Sequence, residues 1–589
     1  MKSFLSLAMI GGCWLMATTG AALAADEDAK LAAFFQRYLD EEMKHRPAEA
    51  TRLGDHRYDH LLDDVSPAAR AANVERLKKA QAALAKEVDY SKLSRSGQID
   101  FEILAHDFKR SLWLIENTRL YEQDPRVYNE LMSDSVFTVL TQSTLPKERN
   151  LQNAISRIAF VPKVVAAAKA SLKDPPNVYW ETAIRQNKGA IAFYEKGIFD
   201  ITGEPVQGSE LSAATRRILP SLHEYQEFLE KELAARATGD WRLGREKFYQ
   251  KLDLELDAGV SADQVLKDAE AEAQRVEREM VVIARQLWSR YFPKSPVPPD
   301  DPAGRRELVQ KVISAVSNEH GKVEDLVSDA RATVERIKKF ITERDILRLP
   351  APDHCKVIEM PEFQRGFSVA YLQNAPPLDA QASSHYAVSP PPKDWDERRV
   401  QSYLQEYNRH MLQILTIHEA YPGHYVQLEY SSRHPSLIRK VLYSGVFAEG
   451  WAVYTEQMML DQGYGDGDLA LRLNQLKFYL RAVLNALLDH KMHCENMSDA
   501  EAKSFLMERG FQSEGEAMGK IIRAKLSSCQ LSTYFVGRMA FYRLRQQVER
   551  EQGEKFNLGR YHEAVMSHGT LPVKYLPELM HEKAAENGK

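Results

Sequence analysis

From Val260 to Gln552 the chain keeps returning to one spacing: apolar side chains three and four residues apart, with charges between them. That is the period of an α-helix packed on one face. Val265, Leu266, Ala269, Val276, Met280, Ile283 and Leu287 line a run that opens at Ser261, an N-cap candidate, and continues through Ser289. Similar spacing covers Glu307 to Thr342. Val400, Tyr403, Leu404, Tyr407, Met411, Ile414 and Leu415 form a stripe from Asp396 to His418, and further runs cover Val446 to Leu460, Leu469 to His493 and Glu514 to Gln552. A chain dominated by one period folds as a mainly α-helical protein. At 589 residues it is long enough for a large core and more than one structural unit. Two stretches interrupt the pattern. Pro293 to Pro302 reads as a loop or linker. Gly366 to Lys393 contains Phe367 to Leu372 and Ser384 to Val388, which alternate like short strands. This small β element lies just upstream of His418, where a strand edge is able to pair with an extended peptide; a plain hairpin is the equal alternative. The expected division is a helical region over 25–292, a connection over 293–344 and a helical region over 345–589, integrated into one fold.

The N-terminus reads as a targeting segment over residues 1–24: Lys2 supplies a positive charge, an apolar run extends from Phe4 to Met16, and Ala22-Leu23-Ala24 fits an A-x-A cleavage site. Export, to a bacterial periplasm, is expected. Ile10-Gly11-Gly12-Cys13 resembles a lipoprotein box, and anchoring through Cys13 ranks second because the apolar run continues past it. No later stretch has the length and apolarity of a membrane span. A formal net charge of −5 gives no electrostatic case for nucleic acid. Beyond Cys13 only Cys355, Cys494 and Cys529 remain, so this is no disulfide scaffold, and no C-x-x-C metal pair occurs.

His418-Glu419-Ala420-Tyr421-Pro422-Gly423-His424 closes the Asp396 stripe, and Glu449 follows in Ala448-Glu449-Gly450-Trp451. Histidine and carboxylate are the ligands zinc takes in hydrolytic sites, where three protein ligands leave a position for water. In the common H-E-x-x-H arrangement, histidines four apart share one helix face. Here they are six apart, and at about 100° per residue they diverge by about 240° on a regular helix. The helix must break between them. Pro422 lacks the N–H that bonds back to the His418 carbonyl, and Gly423 accepts backbone angles other residues resist. The expectation is a bulge at Pro422-Gly423 that absorbs two extra residues and returns His424 to the face of His418. Glu449 completes a two-histidine, one-glutamate set for one Zn2+ ion, zinc being preferred over manganese or cobalt on ligand type. Glu419 is the expected base toward water. Glu456, seven residues past Glu449, is the expected outer partner of a ligand histidine, or a substitute ligand. Asp489 and His493 are expected to line or support the site. Tyr534 first, and His562 second, are candidates to steady an oxyanion. Arg481, Arg523 and Arg538 are candidates to hold a substrate carboxylate.

Each of these residue types also has an ordinary role. A lone helical histidine is usually structural, and it is the combination with Glu419, Pro422-Gly423 and Glu449 that separates this pair. An aromatic on an apolar helix face belongs to the core more often than to a site, and arginines mostly pair at surfaces. Asp466-Gly467-Asp468 lacks the remaining ligands of a calcium loop and reads as a turn. Cys529 has no evident base beside it. There is no G-x-S-x-G elbow and no phosphate-cradling glycine loop.

With these residues in hand, the chain resembles the DUF885 family. The carriers are His418 to His424 continuing to Gln427, Glu449 to Ala452, Asp489 with His493, and Gln530 to Gly537, joined by Pro47 to Thr51 with Gly54 and by Gly569 to Pro572. One departure is that Ser528-Cys529 stand before Gln530, where the family pattern usually has Pro-Gly. The resemblance implies a mostly helical, zinc-peptidase-like fold with a deep cleft between helical halves. Together the residues and the resemblance point to an exported zinc metallopeptidase acting on short peptides. Two further readings stay open: hydrolysis of a non-peptide amide, and a binding protein that kept the fold without turnover.

Overall fold

The computed structural model of the chain describes residues 10–360 and 370–587. The side chains of the targeting segment through Leu23, and Phe367 to Val369 of the first expected strand, lie outside the described residues. The chain divides into two compact units whose sequences interleave. One comprises Met1–Pro175, Thr182–Ala237 and His434–Leu442; the other comprises Pro176–Glu181, Thr238–Arg433 and Tyr443–Lys589. Among the described residues, no helix is long and apolar enough to cross a membrane.

The first unit is helical throughout, and serine caps start its longer helices: the Ser66 side chain accepts from Ala69 N ahead of Pro67–Glu87, and that of Ser94 from Gly97 N ahead of Arg95–Asn117. The Pro47–Leu53 helix stops at Gly54 in the left-handed region. The fully buried Arg157 organises this corner. It donates to Pro47 O, Leu61 O, Ser135 O and Thr51 Oγ1 at 2.6–3.0 Å. The Pro47 to Thr51 fragment is therefore a guanidinium socket. The distant segment Leu437–Val441 joins the same unit through Arg439, whose Nε lies 2.5 Å from Asp100 Oδ1.

The second unit is built on the helix Leu469–Cys494, packed along Ala262–Tyr291. Ser261 caps the latter, and Val265, Ala269, Val276, Met280, Ile283 and Leu287 are all buried. The proline-rich stretch after it is a turn inside this unit: Trp288 Nε1 donates to Ser295 O at 2.9 Å, and Asp301 caps the returning helix Pro302–Ser317. Three expected runs are each two helices. Glu307 to Thr342 divides into Pro302–Ser317 and Leu326–Glu343. Asp396 to His418 divides into Glu397–Glu406 and Arg409–Glu419, because the Asn408 side chain accepts from both His410 N and Met411 N and starts a fresh helix. Glu514 to Gln552 divides into Glu514–Leu526 and Thr533–Gln552.

The sheet has three strands, β1 (Cys355–Glu359), β2 (Ala370–Gln373) and β3 (Ser384–Val388), in the order β1-β3-β2. β3 runs parallel to β1 and antiparallel to β2. The central strand buries Tyr386, Ala387 and Val388, and Tyr386 Oη lies 3.0 Å from Thr416 Oγ1, fixing the sheet to the Arg409–Glu419 helix. β1 was not anticipated, since Lys356 and Glu359 interrupt its apolar pattern.

Candidate metal centre

His418 lies in the last turn of Arg409–Glu419. The chain leaves that helix at Ala420, passes a cis Tyr421-Pro422 bond, and enters a new helix, His424–Ser432, with His424 as its first residue. Pro422-Gly423 is thus a turn between two helices, and the expected bulge within one helix is corrected accordingly. The turn is tight. Gly423 N donates to Ile417 O at 3.0 Å, and a Cβ on Gly423 would lie 1.9 Å from His418 O and 2.3 Å from Ile417 O. Trp451 Nε1 donates to Pro422 O at 2.8 Å, and Tyr421 Oη donates to Asp353 at 2.7 Å. The two imidazole rings finish with centroids 4.8 Å apart and planes at 89°.

Glu449 comes from the helix Gly445–Asp461, capped by Ser444. At Gly450 this helix touches the backbone of Thr533–Gln552: a Cβ on Gly450 would lie 2.3 Å from Gly537 Cα, and one on Gly537 would lie 2.0 Å from Val446 O. Only glycine at both positions lets the two helices come so close. Glu449 Oε2 lies 3.4 Å from His424 Nε2 and 3.8 Å from His418 Nε2. Ligand atoms about 2.1 Å from a tetrahedral zinc lie about 3.4 Å apart. Glu449 Oε2 is also buried without a hydrogen-bond partner, a state a carboxylate tolerates poorly unless a cation meets it. The trio therefore fits a single divalent ion, and no other such trio occurs among the described residues. Side-chain exposure rises from 7% at His418 through 14% at His424 to 23% at Glu449, so the site is reached from the Glu449 side.

Glu456 Oε1 lies 2.7 Å from His418 Nδ1 and is fully buried. It takes the supporting role, not that of substitute ligand. Burial holds the His418 imidazole down to about 3, with His424 adding to the effect, so the ring is in the neutral form a metal requires. His424 is affected oppositely: burial works against its charged form, but the Glu449 carboxylate outweighs it and raises the ring. Glu419 is held by β2, with Leu372 N donating to its Oε2 at 3.0 Å. Burial pushes its carboxyl up to about 7.

Tyr534 is brought beside Glu449 by the glycine crossing, and Glu449 helps to raise its phenol, though burial does more. Arg523 Nη2 donates to Tyr534 Oη at 3.0 Å and to Gln530 Oε1 at 2.8 Å. Asp489 and His493 do not touch the ligands. His493 and Lys251 secure the turn that aims Tyr534, while both carboxylate oxygens of Asp489 are buried without a hydrogen-bond partner. His493 Nε2 faces Ala524 O and Ser527 O at 3.0 and 3.1 Å, and Lys251 Nζ donates to Ser528 O at 2.9 Å. Burial pushes Asp489 up to about 7, even with Lys251 and the Cys529 N–H nearby. In that turn Cys529 has φ +70°, at the position where the family pattern has glycine.

Three candidates are placed elsewhere. His562 is fully buried with both ring nitrogens engaged, Nε2 with Tyr454 Oη and Nδ1 with Ile346 O, each at 2.8 Å, so it is structural. Arg538 is buried between the Tyr479 and Tyr542 rings, with Nη1 donating to Glu272 and Nη2 to Gln457, so both terminal nitrogens are engaged away from the trio. Arg481 is bound to Glu516 at 3.1 Å and to Glu406 at 3.5 Å. Of the three arginines, only Arg523 reaches the site. Sequence reasoning missed the positioning role of the Leu372 N–H, a backbone group with no side-chain signal. It also missed Trp451 and Thr570, both inside quoted motifs. Thr570 Oγ1 accepts from Gln427 Nε2 at 2.6 Å and donates to Ser431 Oγ at 2.8 Å, while Thr570 O accepts from Ser444 N at 2.8 Å. One residue thereby fastens the His424 helix to the start of the Glu449 helix.

Residues 47–580 match DUF885, a family of bacterial proteins of unknown function. The chain belongs to that family. A presumed lipoprotein of unknown function from Shewanella oneidensis is 30% identical, with a TM-score of 0.80 over 94% of this chain and 99% of its own. A presumed lipoprotein from Colwellia psychrerythraea, 17% identical, shares the fold with a TM-score of 0.77 over 95% of this chain and 99% of its own. No curated protein matches. For this DUF885 member the fold is therefore shared along nearly the whole chain.

Proposed function

We propose that this DUF885 protein is a zinc-dependent hydrolase of peptide bonds in short peptides. The observation that carries the reading is the convergence of His418 Nε2, His424 Nε2 and Glu449 Oε2 next to the buried carboxyl of Glu419. A zinc ion held by this trio supplies Lewis acidity toward water and toward a carbonyl oxygen. The chain's own residues do the rest. Glu419, steadied by Leu372 N–H, takes a proton from water and returns it to the departing amine. The Tyr534 phenol donates to the oxygen on which negative charge develops. Among the described residues β2 is an edge strand, and an extended peptide lying beside it would gain backbone hydrogen bonds, which favours a peptide over another amide.

The experiment pairs metal analysis of purified protein with a Glu419→Gln variant. Bound zinc retained and hydrolysis reduced about 100- to 10,000-fold are expected. Undiminished hydrolysis in Glu419→Gln eliminates the assigned base, and absence of any divalent-metal dependence eliminates the reading. We further propose export, from the Lys2, apolar-run and A-x-A pattern and the likeness to presumed lipoproteins. Periplasmic release through cleavage after Ala24 is preferred to anchoring through Cys13. The mature N-terminus, read by mass spectrometry, distinguishes them.

A further inference from the structure

We infer that Lys520 and Arg523 form an anion subsite that takes the free carboxylate of the substrate, which would restrict the proposed hydrolase to bonds next to a peptide's C-terminus. The inference rests on the reading above for the place of the scissile bond. The helix Glu514–Leu526 carries Glu516, Lys520 and Arg523 at spacings of four and three, on one face. At one end of that face Glu516 is occupied by Arg481 at 3.1 Å. At the other, Arg523 donates to the phenol of Tyr534, the residue beside Glu449. Lys520 lies between them, only 9% exposed, and among the described residues no hydrogen-bond or ion-pair partner engages its ammonium.

A cation carried on so largely buried a side chain, with no acceptor beside it, is poorly compensated. Burial, together with the neighbouring Arg481 and Arg523, pushes Lys520 well below its ordinary value. An anion delivered there would partner Lys520 and Arg523 together, Arg481 being already paired with Glu516 and Glu406. Arg523 spends only Nη2 on Gln530 and Tyr534, leaving Nε and Nη1 for a carboxylate. One hydrogen bond separates the oxyanion donor from Arg523. The terminal carboxylate of the residue following the scissile carbonyl spans a comparable distance, about one residue of extended chain.

The test compares benzoyl-Gly-Phe with its C-terminal amide on zinc-loaded, full-length protein. The free acid is expected to be preferred about 100-fold or more in kcat/KM. Lys520→Met should collapse that preference, mainly by raising KM for the acid, and Lys520→Arg should restore part of it. The wild-type comparison needs no variant, so a misfolded Lys520→Met leaves the test intact. In parallel, calorimetry on metal-stripped protein compares N-acetyl-phenylalanine with N-acetyl-phenylalaninamide. Selective binding of the acid, weakened at least about tenfold by Lys520→Met, supports the subsite even if neither benzoyl substrate is cleaved, in which case the hydrolase reading fails separately. Equal hydrolysis of acid and amide, or equal binding of the two probes, overturns the subsite while leaving the metal reading standing.

Discussion

A ligand imidazole must present one nitrogen to the cation and park its hydrogen on the other. His418 has Nε2 turned to Glu449 and His424, so as the proposed zinc ligand it would carry its hydrogen on Nδ1 and donate to Glu456. Glu456→Gln, which weakens that acceptor, is expected to reduce zinc affinity about 10- to 100-fold, read by competition with a chelator. An unchanged affinity would remove Glu456 from the site. Asp489 offers a pH test at a residue that touches no ligand. Burial raises its folded value to about 7, against about 3.9 in the unfolded chain. Between those values the native state holds a proton that the unfolded state has released, so the Asp489 contribution to stability falls as pH rises from about 4 to 7. Wild type should therefore lose up to about 1.4 kcal/mol per pH unit over that window relative to Asp489→Asn, in urea melts at pH 5 and pH 7. Parallel stabilities for the two proteins would show that Asp489 ionises freely. The convergence of His418, His424 and Glu449 was legible because Pro422-Gly423 and the six-residue spacing admit few local geometries. The fates of His562 and Arg538 were not. Whether a polar side chain is satisfied depends on groups such as Ile346 O, 216 residues from His562, and no local pattern reports them.

Among the helices, period was the reliable signal and continuity was not. The apolar stripe through Tyr407 to Met411 is unbroken, yet Asn408 caps a new helix there, because two side-chain hydrogen bonds outweigh one more turn of regular spacing. Likewise the turn at Ser527 to Ser532 is paid for by partners on other helices, with Cys529 adopting a backbone angle that favours glycine. The turn between the histidines has no such freedom. The atoms a Gly423 Cβ would meet belong to the backbone, so they cannot swing aside as a side chain does. Gly423→Ala is expected to cost about 3 kcal/mol and to abolish zinc binding, measured by denaturant melts and metal analysis. Near-native stability with full metal content would mean that the turn has another conformation available.

For the molecule as a whole, the three proposed ligands arise from three different helices, so a bound cation would join Arg409–Glu419, His424–Ser432 and Gly445–Asp461. At a thousandfold excess over Kd such a ligand adds about 4 kcal/mol to the folded state. Chelation should lower the melting temperature in calorimetry, and added zinc should restore it; an indifferent melting curve would show that the trio holds no ion. The mainly helical class was legible from composition of the runs alone. The interleaving of the two units was not, since Leu437–Val441 enters the first unit through Arg439 and Asp100, residues far apart in the chain.

The Thr570 clasp joins segments 139 to 143 residues apart in the chain. His418, His424 and Glu449 all precede Thr570 in the chain, so the latch between the helices of His424 and Glu449 is synthesised after all three. On the proposed zinc reading, a nascent chain carries the trio before its clasp, and metal loading is expected to come after Thr570 is made. An exported polypeptide would pick up its ion where it finishes folding, outside the cytoplasm that made it.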